Sequence, residues 1–173
     1  RDQPPDPRLS QPATALGAAV KGSRRILLWL VLSLPAALMV GRFVSGQALA
    51  MDLYHPSGEM SVRLMVLALL PGPLADVFGP NRFLRAWLAI RRNLGVAAFG
   101  YAVLHLAIYA LDMQQLSAML AELPIPGIWT GWLALLTMAI PAAISFDAAM
   151  RRLGRRWKTL QRLVYPAALL SLV

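Results

Sequence analysis

The sequence predicts an all-α, multispanning transmembrane helical bundle, on three observations. Hydrophobic residues make up 58% of the 173 positions and charged residues 14%, with a mean hydropathy of +0.57. That leaves too little polar surface to coat a soluble globule of this length. Apolar runs and basic clusters alternate in a regular order. The basic clusters themselves fall on alternate connections, the pattern of a chain threaded through a bilayer with its cationic loops on the cytoplasmic side.

The elements follow in order. Residues 1–24 are rich in Pro, Ala and Ser without an apolar period and read as a disordered cytoplasmic leader. They carry no secretory cleavage pattern. Residues 25–173 read as one helical membrane domain. Its first span covers residues 26–41 and can continue past Arg42, whose long stem lets the guanidinium reach the interface. A second runs from Met60 to Ala75, with Arg63 near its start and Pro71-Gly72-Pro73 near its end. The third, Asn93 to Leu111, carries no formal charge and contains His105. The fourth, Ile128 to Phe146, contains Pro141, which bundled helices tolerate. A fifth begins near Leu163 and is cut at Val173, so about five spans are expected in a chain incomplete at its C-terminus.

Charge placement narrows the function. Five Lys or Arg precede the first span, four lie in residues 76–92 and six in residues 147–162, while loops 47–62 and 112–128 have none. Fifteen of the 17 basic residues therefore lie on the connections expected to be cytoplasmic, and the net charge of +9 is explained by topology. No nucleic-acid partner is expected, since no basic face is interleaved with stacking aromatics. Cysteine is absent, which removes disulfide frameworks and thiolate metal sites. There is no nucleophile with a base, no phosphate-binding glycine loop and no carboxylate pair, so no substrate-converting site is expected on this chain.

His105 is the residue that asks for a reason. It lies thirteen residues after Arg92, about 20 Å along a helix crossing a core of about 30 Å, in the outer half of the membrane. Ala98 and Ala102 share its face, Gly95 and Gly100 thin the helix, and Tyr101 and Tyr109 flank the imidazole one turn away on either side. Small neighbours leave room for a flat macrocycle, and equally for close helix packing. An interhelical hydrogen bond and a ligand role both remain open on these residues alone.

The runs RRNLGVAAFGYAVLHLAIYALDM (91–113) and SFDAAMRRLGRRWKTLQRLVY (145–165) resemble the signature regions of the ferric-reductase-like transmembrane domain family. Within it they are most similar to the haem-binding membrane subunits of bacterial periplasmic methionine-sulfoxide reductase systems. The likeness rests on Arg92, Leu94, Gly95, Tyr101, His105, Leu106 and Tyr109 in the first run. In the second it rests on Ser145, Leu153, Gly154, Trp157, Leu160 and Tyr165. His55-Pro56-Ser57-Gly58 also resembles the family's His-x-Thr-Gly stretch. The resemblance implies a cytochrome b-like subunit of the bacterial inner membrane, N-terminus cytoplasmic, with His105 an axial ligand of haem b. It further implies electrons taken from a cytoplasmic flavin (FMN) reductase or the quinone pool and passed to a periplasmic molybdopterin enzyme that reduces oxidised methionine. The alternatives are the transmembrane part of a ferric-ion or other surface reductase, and a cofactor-free scaffold or transporter. His55, in an outer loop, is a candidate haem contact. Arg63 is a candidate partner of a haem propionate, or a snorkelling cation.

One departure from the family pattern bears on stoichiometry. Where the family reads Trp-x-x-Leu-His, this chain has Trp157-Lys158-Thr159-Leu160-Gln161, and an amide oxygen is a poor iron ligand. The residue thirteen before His105 is Arg92, so neither helix supplies an inner ligand. Thirteen residues on from Gln161 is position 174, where the family pattern would place the outer ligand opposite His105. One haem, at the outer level, is expected.

If the alternate basic connections set orientation, reporter fusions within 47–62 and 112–128 will report the periplasm and fusions within 76–92 and 147–162 the cytoplasm. A periplasmic signal at 147–162 would overturn the threading.

Overall fold

Lipid offers no water to bond a main-chain N–H or C=O, so a spanning segment has to satisfy its backbone internally. The computed structural model describes residues 7–172, with side chains from Gly22 onward, and the regular elements among the described residues are all helices. In order they are α1 (Pro7–Val44), α2 (Ala50–Leu69), α3 (Pro71–Phe78), α4 (Arg82–Met113), α5 (Leu116–Ala121), α6 (Pro126–Ala143), α7 (Asp147–Leu153), α8 (Arg155–Gln161) and α9 (Val164–Leu170). Four stretches are long and apolar enough to cross a membrane: Gly22–Val44, Ala50–Phe78, Arg82–Met113 and Pro126–Ala143. The chain is thus a multispanning helical membrane protein. The fifth expected span is represented by the seven-residue α9.

The chain divides into two compact units, Arg1–Pro35 and Ala36–Val173. In the first, the described part of α1 exposes Ile26, Leu27, Leu30, Val31 and Leu34, the apolar surface a lipid-facing helix needs. The leader expected over residues 1–24 falls mostly outside the described side chains. Residues 7–24 of that segment belong to α1, and residues 1–6 lie outside the described residues.

In the second unit, two elements are longer than the sequence suggested. α2 starts at Ala50 rather than Met60, so His55 lies in a helix and not in an outer loop. The first-turn N–H groups of a helix lack intrahelical partners, and Asp52 supplies one by accepting from the Leu49 N–H at 2.9 Å. Pro56 is accommodated inside the helix. α4 begins at Arg82 rather than Asn93, because the Asn81 side chain caps it by accepting from Leu84 N–H at 2.8 Å and no breaker follows. The basic connection expected over 76–92 is therefore largely the first turns of α4.

α2 and α4 pack most closely, with Leu53, Leu64, Met65, Leu94, Ala97 and Ala98 buried between helices. Lipid tails are as apolar as these side chains, so close contact and interhelical hydrogen bonds hold the pair rather than water exclusion. Ser61 Oγ donates to the Ala98 carbonyl at 2.9 Å, a bond of a kind worth about 0.6 kcal/mol in a membrane. Ala98 is fully buried at that crossing. Tyr101 is also buried, its hydroxyl accepting from Ala36 N–H at 3.0 Å.

Carbonyls freed at prolines and helix ends find side-chain donors. Pro71 has no N–H to offer the Leu67 carbonyl, and Trp87 Nε1 donates to it at 2.9 Å. Past the end of α6, Trp157 Nε1 donates to the Ile144 carbonyl at 3.1 Å. Ser145 Oγ and Gln161 Nε2 both donate to the Pro141 carbonyl, at 2.5 and 3.1 Å. Trp87 and Trp157 thus serve as caps of backbone carbonyls. Arg92 closes the same end of the molecule through a 2.5 Å bond to Asp147.

Trp157→Phe retains the ring and removes the donor, leaving the Ile144 carbonyl without its partner. A loss of about 1 kcal/mol is expected, read as a lower thermal unfolding midpoint in detergent. An unchanged midpoint would show that water replaces the indole.

Candidate haem-binding cavity

A cavity of about 710 Å³ lies between α2, α4, α6 and the end of α9, within the roughly 300–1,000 Å³ range of ligand and cofactor sites. His105 and Ala102 reach it from α4, Gly58 from α2, Gly127 and Gly131 from α6, and Leu170 and Ser171 from the last helix. The small residues make it a slot. Gly127 and Gly131 are one turn apart, and a Cβ built on either meets nothing within 4 Å. A pair spaced in this way usually lets two helices touch. Here it faces the cavity, which is the shape a flat ring system needs. On the opposite wall, a Cβ on Gly58 would lie 3.4 Å from Cε1 and Nδ1 of His105, so the imidazole rests against the α2 backbone.

The hydrogen bonds of His105 settle which nitrogen can act as a ligand. Nδ1 lies 3.1 Å from the Tyr54 carbonyl oxygen and 3.1 Å from Ser57 Oγ. A carbonyl can only accept, so Nδ1 carries the hydrogen. Nε2 then presents its lone pair, and it has no protein partner among the described residues although no buried side-chain nitrogen or oxygen there lacks one. A neutral imidazole with Nδ1–H bound to a main-chain carbonyl and Nε2 open is the usual form of a metal-ligating histidine. The Tyr54 ring meets the imidazole edge-on, centroids 6.2 Å apart.

One rim of the cavity is tyrosine and carboxylate. Tyr54 donates its hydroxyl to Asp112 at 2.6 Å, and Tyr109 donates to Glu122 at 2.6 Å. The first bond ties α2 to α4, and the second ties α4 to the end of α5. His55 sits at the rim with its side chain 88% exposed, Nε2 3.8 Å from Glu59. Arg63 is not part of the lining. It donates to Glu59, one turn earlier on α2, at 2.6 Å.

Of the residues singled out around His105, Ala102 and Tyr109 line the cavity, while Ala98 and Tyr101 serve the packing of the helices. Gly95 and Gly100 face open space, with no atom within 4 Å of a built Cβ. The sequence reading missed Ser57 as a partner of His105, and it missed the glycine pair on α6. The spacing Gly127-x-x-x-Gly131 was visible, but it does not say whether a helix or a cavity lies opposite.

The residues present fit a haem: an imidazole with Nε2 open, small side chains of glycine and alanine beside it, and apolar walls from Leu106, Leu135 and Met138, with polar groups such as Glu59 and Tyr109 also in the lining. Comparisons with known proteins agree with that chemistry. The chain is 37% identical over 129 residues to the "Protein-methionine-sulfoxide reductase heme-binding subunit MsrQ" of Cronobacter sakazakii, covering 70% of this chain and 61% of that protein. It is 36% identical over 117 residues to the protein of the same name from Rhizobium meliloti, covering 66% and 52%. The Brucella anthropi protein of that name is 36% identical over 116 residues, covering 65% and 50%. The chain thus spans between half and about three fifths of the length of these relatives. No solved structure matches it. The sequence profile described as "Ferric reductase like transmembrane component" matches residues 57–172, a range that includes Ser57, His105, both α6 glycines and Gln161. This chain therefore belongs to the ferric reductase like transmembrane component family.

Proposed function

We propose that this chain is the haem-carrying part of a membrane electron-transfer subunit, with His105 as an axial ligand of a single haem b at the outer level. The observation that carries the proposal is the fixed tautomer of His105 beside a slot walled by Gly58, Ala102, Gly127 and Gly131. A haem held there would supply reversible one-electron chemistry at iron, with a potential set by the axial ligands, burial and hydrogen bonds.

The protein's share is positioning. Tyr54 and Ser57 hold Nδ1, leaving Nε2 free to bind iron. Gly127 and Gly131 admit the ring edge, and Met138 with Leu135 keeps water away from it. Leu170 and Ser171 line the same cavity, so in a chain that continues α9, position 174 lies on their face, four and three residues on. That is where the second axial ligand is proposed. His55, exposed at the rim, is the only other imidazole in the sequence and the alternative second contact.

In the proposed pathway the chain sits in the bacterial inner membrane with a cytoplasmic N-terminus. Electrons enter from a cytoplasmic flavin reductase or from quinone and leave to a periplasmic molybdopterin enzyme that reduces methionine sulfoxide. The names of the relatives support this reading. The family description itself favours a second one, the transmembrane part of a ferric-ion reductase, whose partner would be a flavin and nicotinamide module. The partner that co-purifies with the full-length protein separates the two.

His105→Ala in the full-length chain is expected to abolish most haem binding, read from the Soret band, with membrane insertion intact. A wild-type spectrum in that variant would return the histidine to helix packing. A wild-type protein with no Soret band after haem-sufficient expression would favour a cofactor-free scaffold.

Gln161→Leu is expected to leave haem content unchanged, because Gln161 donates to the Pro141 carbonyl rather than serving a metal. Pyridine-haemochrome assay should give about one haem per chain. Two per chain would require an inner ligand and contradict the one-haem proposal.

A further inference from the structure

We propose that Ser57 is a positioning residue for the ligating imidazole, its hydroxyl sharing the Nδ1–H of His105 with the Tyr54 carbonyl and thereby lowering the potential of iron bound at Nε2. The proposal rests on His105 being an axial ligand.

Ser57 is fully buried, with a relative exposure of 0%, so water does not compete for its hydroxyl. Its Oγ lies 2.7 Å from the Leu53 carbonyl, 3.0 Å from the Tyr54 carbonyl and 3.1 Å from His105 Nδ1. A serine hydroxyl has one hydrogen and two lone-pair sites. Both carbonyls can only accept, and the shorter contact, to Leu53, takes the hydroxyl hydrogen. This is the ordinary bond of a helical serine back to the preceding turn. It leaves the oxygen lone pairs for Nδ1–H, which meets two acceptors at the same 3.1 Å.

Either acceptor alone would select the tautomer. Two of them, three residues apart on α2, also set the plane of the ring. Gly58 borders the same edge of the ring: a Cβ there would touch Nδ1 and Cε1 at 3.4 Å, so larger side chains would press on the imidazole. The serine-glycine pair thus seats one edge of the imidazole, and the free nitrogen is directed by what holds the other.

The electronic consequence follows from acceptor strength. Acceptors on Nδ1–H push electron density onto the ring, make Nε2 a stronger donor and favour ferric over ferrous iron. Losing one acceptor should weaken that preference, and a tenfold change in it corresponds to about 59 mV for one electron.

The test is redox titration of the haem-loaded, full-length protein in a Ser57 series, with His105→Ala alongside. Ser57→Thr keeps the hydroxyl and should hold the wild-type potential. Ser57→Ala should raise the potential by about 59 mV, a tenfold shift toward ferrous iron. Ser57→Cys, close in shape but a weak acceptor, should fall between them, and it decides the matter if the alanine variant fails to assemble. An unchanged potential in the assembled alanine or cysteine variant, with haem lost in His105→Ala, would overturn the role of Ser57 alone. A wild-type spectrum in His105→Ala would instead remove the ligand on which the proposal rests.

Discussion

The buried hydroxyls and the imidazole N–H that α2 and α4 carry into the membrane are paired inside the protein, and the placement of these helices follows from how each is paired. A buried hydroxyl or imidazole left unpaired in hydrocarbon costs several kcal/mol, more than any single contact between these helices returns. Ser61 is paired by the Ala98 carbonyl, Ser57 by Leu53, and His105 by Tyr54. All three sit on the crossing of α2 and α4. The register between those helices is therefore set by hydrogen bonds, while the alanines and Gly58 at the same crossing allow the approach that makes the bonds short. Because the pairing uses only Nδ1 of His105, the same contacts that join the helices leave the other ring nitrogen available for chemistry.

The prolines obey the same constraint. Pro71 removes a donor, and carbonyls are also left free where α6 ends; each of these becomes a docking point for a side chain from another element. Trp87 answers Pro71 across the α2–α4 pair. At the far end of α6, the Pro141 and Ile144 carbonyls are answered by Gln161 and Trp157, one turn apart on α8. Breaks in the spanning helices therefore serve as specific attachment sites for α4 and α8. Short helices such as α8, with one and a half to two turns of their own backbone bonds, depend on such tethers for their position.

Much of this was legible in the sequence. Four of the spans follow from hydropathy, and the histidine singled out in the third of them lines the cavity. What was not legible shares a physical cause: each missed feature depends on what lies across from a residue. Tyr101 and Tyr109 are equivalent by spacing from His105, yet one meets the Ala36 N–H and the other the cavity. Gly127 and Gly131 form a pattern that signals helix contact in other settings, and only the absence of a helix opposite turns it into a slot. The start of α2 lies ten residues before the apolar run that marks it in the sequence, in a polar stretch that holds Pro56; Asp52, which pairs with the Leu49 N–H, is the feature there that fits a helix start. Ser57 is a small polar residue next to a proline, and nothing local says that it meets a ring 48 residues away.

The asymmetry between the two ends of the bundle is a further consequence of pairing. Arg92 on α4 and Gln161 on α8 are both engaged in holding the connection between α6 and α9, Arg92 through Asp147 and Gln161 through the Pro141 carbonyl. A guanidinium cannot bind iron, since it has no lone pair to give, and an amide whose NH₂ is held by a carbonyl offers iron only its weak oxygen. At the cavity the reverse holds, because the pairing of His105 consumes the nitrogen that carries a hydrogen and spares the one that does not. Pairing of polar atoms thus makes a structural clasp at one end of the bundle and, at the cavity, leaves open the nitrogen on which the proposed ligand role rests.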